Sequence, residues 1–243
     1  MTPPIAVVIP VLNEAGAIGP TVRGLACAHG GLVVVVDGGS TDATVEEARS
    51  AGAAVVQEPR RGYGGACAAG AAFAAARGVD IVVFMDGDGA DVPEALPWLT
   101  GPILAGTHDF VIASRTRGRR EPGSMAWHQV AAGALIGWLA GVACGARYSD
   151  MCAFRALRIE TLTRLRMREM GYGWNLEMQM RAAATGLRVL EVPVPYRRRI
   201  AGDSKVSGTL RGTLRAGSRI MHVLVRVAAE TRRERSMPVK ARR

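Results

Sequence analysis

Over the first 90 positions, apolar residues come in short unbroken runs, separated by polar, glycine-bearing stretches and by longer segments of helical character. Ile5-Ala6-Val7-Val8-Ile9 reads as a buried first strand stopped by Pro10. Leu32 to Val36 is an uninterrupted second strand, Ala54 to Gln57 a short third and Ile81 to Met85 a fourth. Between them the sequence predicts helices over about Ile18 to His29, Ala43 to Ala51 (with Thr41 or Asp42 as cap) and Ala66 to Arg77. Apolar strands without strict alternation, each followed by a helix, indicate a mostly parallel α/β sheet of Rossmann-like type covered on both faces.

The second half is less regular. Phe110 to Ala113 is expected as a strand leading into Ser114-Arg115, followed by a basic loop with Arg117, Arg119 and Arg120 and a helical region from Met125 to Ala146. Ser149-Asp150 and Met151 to Leu157 bring the chain back toward the sheet. Tyr172 to Glu177 opens a helix through about Thr185, Arg188 to Val194 is a strand, and Arg197 to Lys205 is a basic loop. Leu210 to about Ala229 is a final amphipathic helix. With no internal repeat and no long linker, the expected organisation is one α/β domain over residues 1–209 and a C-terminal helix with a basic tail over 210–243.

Open parallel sheets bind ligands at the carboxyl ends of their strands. Three strand ends here carry polar clusters, Asn13-Glu14, Asp37 to Asp42 and Asp86 to Asp91, and are therefore expected to converge on one crevice. Asp86-Gly87-Asp88, with Asp91 three residues on, places hard oxygen ligands at the sheet edge, suited to Mg²⁺ or Mn²⁺ holding a diphosphate. Gly87 and Gly89 leave room for a ligand to approach the backbone. Asp37 either accepts hydrogen bonds from a base or ribose or holds a turn. Glu14 either faces the ligand or complements a helix dipole. Arg115 either neutralises phosphate or is a surface arginine. Glu177 either faces an acceptor or pairs with an arginine.

Composition narrows these options. The 243 residues are 49% hydrophobic and 21% charged, enough for one full core. The net charge of +10, concentrated late in Arg197-Arg198-Arg199 and from Arg232 to Arg243, favours anionic partners or reads as a solvated tail. A nucleic-acid-binding protein is the distant alternative, since no RNP, helix-turn-helix or zinc pattern accompanies the charge. Cys27, Cys67, Cys144 and Cys152 lack metal-binding spacing and read as reduced core thiols of a cytoplasmic protein. The N-terminus reads as a strand entry and not a signal peptide. No apolar run reaches the roughly 20 residues of a bilayer span. The nearest, Val130 to Ala146, reads as a buried or membrane-leaning helix. Pro10-Val11-Leu12-Asn13-Glu14 stands where a G-x-G-x-x-G dinucleotide fingerprint belongs, and there is neither a Walker loop nor a G-x-S-x-G elbow.

Val8 to Glu14, Val36 to Asp42 and Met85 to Asp88 together resemble the family 2 glycosyltransferases of GT-A fold. Arg61 to Ala66, Ser149-Asp150 with Phe154-Arg155, and Val192-Pro193-Val194 with Gly202 to Lys205 are most similar to the dolichol-phosphate mannose synthase and polyprenyl-phosphate sugar transferase branch. The resemblance runs from about Ile5 to Ser207. It implies that Pro10, Leu12, Glu14, Asp37, Gly65, Asp86, Gly87, Arg199 and Lys205 handle a UDP- or GDP-linked sugar. Asp37 would hold the base, and the arginines before Ser204-Lys205 would close over the diphosphate. It makes Asp88, Arg115 and Glu177 the catalytic set, Asp88 and Asp91 the ligands of Mg²⁺ or Mn²⁺, and Arg117 and Ser124 the acceptor-phosphate residues. The chain departs from the family pattern at Asp37-Gly38-Gly39-Ser40, where many members have Asp-Asp-Gly-Ser, and at Ala90-Asp91, where relatives carry a Gln.

The expected reaction is a single inverting displacement that moves a hexose to a polyprenyl phosphate. An acceptor phosphate is already ionised at neutral pH, so no general base is required. The alternatives are a hydroxyl acceptor, for which Glu177 or Asp150 is the candidate base, and an inactive regulatory relative. Further expected partners are a membrane surface, met on the cytoplasmic face through Trp127 to Ala146 or the final helix, and a second copy of the chain.

Overall fold

A computed structural model describes residues 4–29, 31–60, 62–201 and 210–236. Seven strands form one sheet: β1 (Ile5–Val11), β2 (Leu32–Asp37), β3 (Ala54–Gln57), β4 (Ile81–Phe84), β5 (Phe110–Ser114), β6 (Arg155–Arg158) and β7 (Val189–Pro193). Their order is β3-β2-β1-β4-β6-β5-β7. β6 runs antiparallel to both β4 and β5, and the other neighbouring pairs are parallel. The expected alternation of the first half is present. β4 is buried along its whole length and β1 nearly so, whereas edge strands β3 and β7 are half-exposed. Continuous aliphatic runs give such doubly covered strands because both faces must be apolar.

The helices are α1 (Ile18–His29), α2 (Thr44–Ser50), α3 (Tyr63–Ala75), α4 (Leu96–Leu104), α5 (Trp127–Cys144), α6 (Ile159–Leu165), α7 (Trp174–Ala184) and α8 (Leu210–Ser236). Neither α4 nor α6 is expected from the sequence. α4 holds Pro97 in its first turn and Pro102 within it, and α6 has only 7 residues, too few for a clear helical period. Helix α3 starts three residues before its expected beginning, because Gly62 and Gly64 let its first turn press against the 169–171 backbone. A Cβ on Gly64 would lie 2.6 Å from the Glu169 carbonyl oxygen. The expected division after residue 209 borders the 202–209 stretch, outside the described residues. Helix α8 packs Ile220, Val223, Leu224 and Val227 with Ala140 and Cys144 of α5 and Leu176 and Met180 of α7. Cys67, Cys144 and Cys152 are buried as expected, but Cys27 is exposed, because it falls on the outer side of α1.

The chain leaves β1 toward β2 and β3, then crosses back to place β4 on the other side of β1. The carboxyl ends of β1 and β4 therefore flank the point where the winding reverses, which is where open sheets form their ligand crevice. Gly87 allows the two ends to meet: a Cβ there would lie 2.8 Å from a Val11 methyl carbon.

Close packing of α3 on this sheet makes a stability prediction. A Cβ on Gly70 would sit 2.3 Å from Val8 Cγ1 and 2.8 Å from Val36 Cγ2. Gly70→Val is expected to destabilise the fold by about 2–3 kcal/mol through overpacking. Gly101→Ala, on α4 with nothing near its Cβ, gains about 0.5–1 kcal/mol from helix propensity. Thermal melts of the two variants should move in opposite directions, and a Gly70→Val protein as stable as wild type contradicts this packing.

Candidate functional site

The three polar strand ends do converge. Asn13, in a left-handed conformation with φ of 52°, receives a hydrogen bond at Oδ1 from Thr41 N (2.8 Å) and donates its own N–H to Ser40 Oγ (2.8 Å). Glu14 N donates to Thr44 Oγ1 at 2.8 Å. These bonds tie the loop after β1 to the loop after β2. The Asp37 carboxylate is buried and accepts from Gly39 N and Ser40 N. In this structure it therefore holds the turn, one of the two roles open from sequence. Pro10 lies beside Val36 in the sheet, and Leu12 is exposed just beyond the end of β1.

At the end of β4 the carboxylates are crowded. Asp88 and Asp91 are almost fully buried. Asp86 N donates to Asp91 Oδ2 at 3.3 Å, and Ala90 N to Asp88 Oδ1 at 2.9 Å. Burial and the Asp88 charge push the Asp86 carboxyl up to about 6. Burial with the Asp86 and Asp88 charges pushes Asp91 up to about 8. The Cys152 thiol lies 3.9 Å from Asp91 Oδ1.

Two arginines offset this charge. Arg199 Nη1 lies 3.1 Å from Asp88 Oδ2, and Arg115 lowers both the Asp86 and Asp91 values through its charge. The 196–200 segment is strapped across the acidic turn: Arg197 N donates to the Ala90 carbonyl and Ile200 N to the Asp88 carbonyl, each at 2.9 Å. Gly89, with φ of +76°, leaves the space that Ile200 fills. Tyr196 bridges to Asp91 and Arg120 and lies under the Arg115 guanidinium, 5.1 Å from ring centre to carbon. Tyr196 is not among the site residues expected from sequence. Its only signal is an aromatic between the end of a strand and an arginine run.

Arg115 forms a two-pronged pair with Asp150, at 2.8 and 2.7 Å, and its backbone N–H adds a third bond at 2.9 Å. Burial alone would raise the Asp150 carboxyl, but the hydrogen bonds and charge of Arg115 outweigh it and hold the carboxyl below its ordinary value. Glu177 pairs with arginines, one of the two roles open to it from sequence. It is fully buried in α7, accepts from Arg168 N and Glu169 N, and pairs with Arg181 and Arg226. Burial opposes its ionisation, yet the two backbone N–H groups and Arg181 keep its carboxyl low.

Gly65 donates its N–H to the Met170 carbonyl at 3.0 Å, so that donor is already engaged. Arg117 is exposed, with Glu191 at 4.0 Å. Ser124 Oγ is buried with no hydrogen-bond partner among the described residues, which suits a ligand oxygen at that point. Lys205 and Arg61 lie outside the described residues. Among the described residues no group of three or more His, Cys, Asp or Glu side chains is set to enclose a metal ion. Mg²⁺ typically takes one or two protein carboxylates and completes its shell with water and substrate phosphate. Asp88 and Asp91 fit that requirement. The Asp88 oxygen already faces a cation, the Arg199 guanidinium.

The chain is similar in sequence and fold to known glycosyltransferases. Residues 6–170 match the family model described as glycosyl transferase family 2. An uncharacterized glycosyltransferase of Mycobacterium tuberculosis is 36% identical over 213 residues, covering 86% of this chain and 93% of its own. The undecaprenyl-phosphate mannosyltransferase of Micrococcus luteus is 32% identical over 223 residues, covering 86% of this chain and 89% of its own. Among solved structures, glucosyl-3-phosphoglycerate synthase from Mycobacterium tuberculosis, in complex with Mn²⁺, UDP and glucosyl-3-phosphoglycerate, superposes with a TM-score of 0.72 at 25% identity. That match covers 93% of this chain and 80% of the synthase.

The raised carboxyls imply a pH-dependent stability. An unfolded Asp titrates near ~3.9. Asp86 and Asp91 therefore hold protons in the folded state over a range where the unfolded chain has lost them. Their contribution is full below the unfolded value and is lost as pH rises through about 6 and about 8. Asp91→Asn, which keeps the oxygen but not the charge, is expected to raise the ligand-free melting temperature at pH ~9 by about 2–4 °C and to leave it nearly unchanged at pH ~5. Equal shifts at both pH values in calorimetry contradict the assignment.

Proposed function

Because the chain belongs to glycosyl transferase family 2 and is a glycosyltransferase of GT-A fold, we propose that it moves a hexose from a nucleoside-diphosphate sugar to a polyprenyl phosphate. The observation that carries this reading is the state of the two carboxylates that could serve a hydroxyl acceptor as general base. Asp150 is clamped by Arg115, and Glu177 is buried among Arg181, Arg226 and two backbone N–H groups. Both are held below their ordinary values and are poor proton acceptors. A phosphate acceptor is ionised already and needs neither. The 32% identity to a protein named undecaprenyl-phosphate mannosyltransferase supports the same acceptor class.

In this reading the base lies over the tied loops after β1 and β2, with Pro10, Leu12, Glu14 and Asp37 forming its wall. Asp86 faces the nucleoside, and Gly87 and Gly65 keep the floor low. Asp88 and Asp91 would hold Mg²⁺ or Mn²⁺, as a relative's structure contains Mn²⁺ with UDP. Bound there, the ion neutralises charge on the departing diphosphate. Arg199 leaves Asp88 for the diphosphate and, with Lys205, covers it. Arg115 stays fixed by Asp150 with its charge directed at the same centre, so no reorganisation is needed as charge develops. Arg117 and Ser124 receive the acceptor phosphate, whose oxygen displaces the nucleotide from the sugar in one inverting step. Glu177 supports α7 and takes no part in the chemistry.

The test is transfer from labelled UDP- and GDP-hexoses, with Mg²⁺ or Mn²⁺, to undecaprenyl phosphate or to 3-phosphoglycerate. Label is expected in the lipid, lost with EDTA and reduced at least ~10²-fold in Asp88→Ala. Glu177→Gln is expected to lower the melting temperature while leaving kcat of the folded fraction within about threefold. Label in 3-phosphoglycerate alone replaces the lipid acceptor with a small hydroxyl acid, and a large kcat loss in Glu177→Gln reinstates Glu177 as a base.

A further inference from the structure

Of the two readings open to helix α5 from sequence, buried or membrane-leaning, the structure does not show the buried one. Its 18 residues contain no charged side chain, yet most of it is uncovered. Trp127 is 81% exposed, Trp138 53% and Val142 68%. Trp127, Leu135, Trp138 and Val142 fall within one quadrant of the helix, so the exposure forms a continuous apolar stripe. It is the one helix among the described residues long and apolar enough to cross a membrane. Its opposite face forbids that. Gly137, Ala140 and Cys144 are buried, and a Cβ on Gly137 would lie 2.1 Å from the Tyr148 carbonyl oxygen. A helix whose C-terminal half is packed against α7 and α8 can lie on a bilayer but not thread it.

We propose that α5, together with the outer face of α8, docks the enzyme on an anionic lipid bilayer. The charge around the stripe selects this occupant over a second copy of a chain that itself carries +10. From residue 115 to 147 there are five arginines and one acidic residue, and from 219 to 243 eight basic residues and two acidic ones. Arg119 and Arg147 are exposed on either side of α5, and α8 exposes Met221 and Val225 along with Arg232 and Arg233. An apolar stripe with tryptophans, flanked by arginines, is the composition of an interfacial helix attracted by acidic headgroups.

The position of α5 gives this docking a consequence. It begins three residues after Ser124, at the end of the loop that Arg198 holds through the Glu121 carboxylate and the Pro122 carbonyl. The same 196–200 segment crosses the acidic turn. The surface that meets lipid is thus continuous with the acceptor side of the site. This inference rests on the lipid-phosphate reading for its biological sense, but its test does not.

The experiment is co-sedimentation of the full chain with vesicles of phosphatidylcholine, alone or with about 30% phosphatidylglycerol, containing no polyprenyl phosphate and no donor. Binding to the anionic vesicles is expected, with a blue shift of tryptophan emission. Trp138→Asp and Val142→Asp should each weaken it by about tenfold or more with unchanged circular dichroism. Trp98→Ala, on α4 outside this surface, should bind as wild type. No binding to either vesicle at low salt overturns the proposal. So does binding indifferent to both aspartates, or a dimer in sedimentation velocity that Val142→Asp dissolves. Transfer to a short-chain lipid phosphate without vesicles is read separately. Intact transfer with no vesicle binding removes only the docking surface, and vesicle binding with no transfer removes only the acceptor reading.

Discussion

Three carboxylates within six residues at the end of a buried strand are the constraint on which the rest of the structure turns. Asp86, Asp88 and Asp91 crowd together in a poorly solvated place, and burial disfavours the charges of Asp86 and Asp91. The fold answers with cations brought from far along the chain. Arg199 reaches Asp88 directly, and Arg115 acts on Asp86 and Asp91 through its field. The 196–200 strap, the Tyr196 bridge and the Arg115–Asp150 clamp are the means by which those cations are held in place. A site arranged this way costs stability when empty, a common compromise at functional centres, and in the proposed reading it regains that stability when a divalent ion and a diphosphate enter together.

The same electrostatics separates the carboxylates by task. At the end of β4, Asp86 and Asp91 are kept easy to protonate and so are receptive to a stronger cation. Asp150 and Glu177 are saturated by arginines and N–H donors and are fixed as permanent anions. Asp150 orients an arginine toward the site, while Glu177 fastens α7 to α8 and to the 168–169 backbone. A titratable residue near a functional helix is thus not catalytic by position alone: its partners decide.

Much of this was legible in the sequence. β1, β2 and β4 are aliphatic runs with no polar interruption, and the acidic and glycine residues that follow them can only lie at strand ends. That suffices to place Asn13-Glu14, Asp37 and the Asp86–Asp91 cluster in one crevice. β6 was harder to read because it begins at Arg155, whose guanidinium is fully buried and satisfied by the Cys152 and Asn175 carbonyls. A charge in a core strand breaks the apolar pattern by which strands are recognised. The short, proline-bearing α4 and the 7-residue α6 lack a period to detect. Glu177 could not be resolved, since sequence gives its helix but not Arg226 of α8 or the 168–169 backbone, which meet it. Tyr196 and the Arg199–Asp88 contact depend on segments distant in sequence that local pattern does not connect.

In the proposed reading Asp88 is a cation position, held by Arg199 until a divalent ion arrives with the nucleotide. Mn²⁺ binding to wild type, Asp88→Ala and Arg199→Ala, followed by electron paramagnetic resonance with and without UDP, tests it most directly. The account predicts tight Mn²⁺ binding only with UDP, its loss in Asp88→Ala, and stronger nucleotide-free Mn²⁺ binding in Arg199→Ala than in wild type. Mn²⁺ binding unchanged by Asp88→Ala would contradict it.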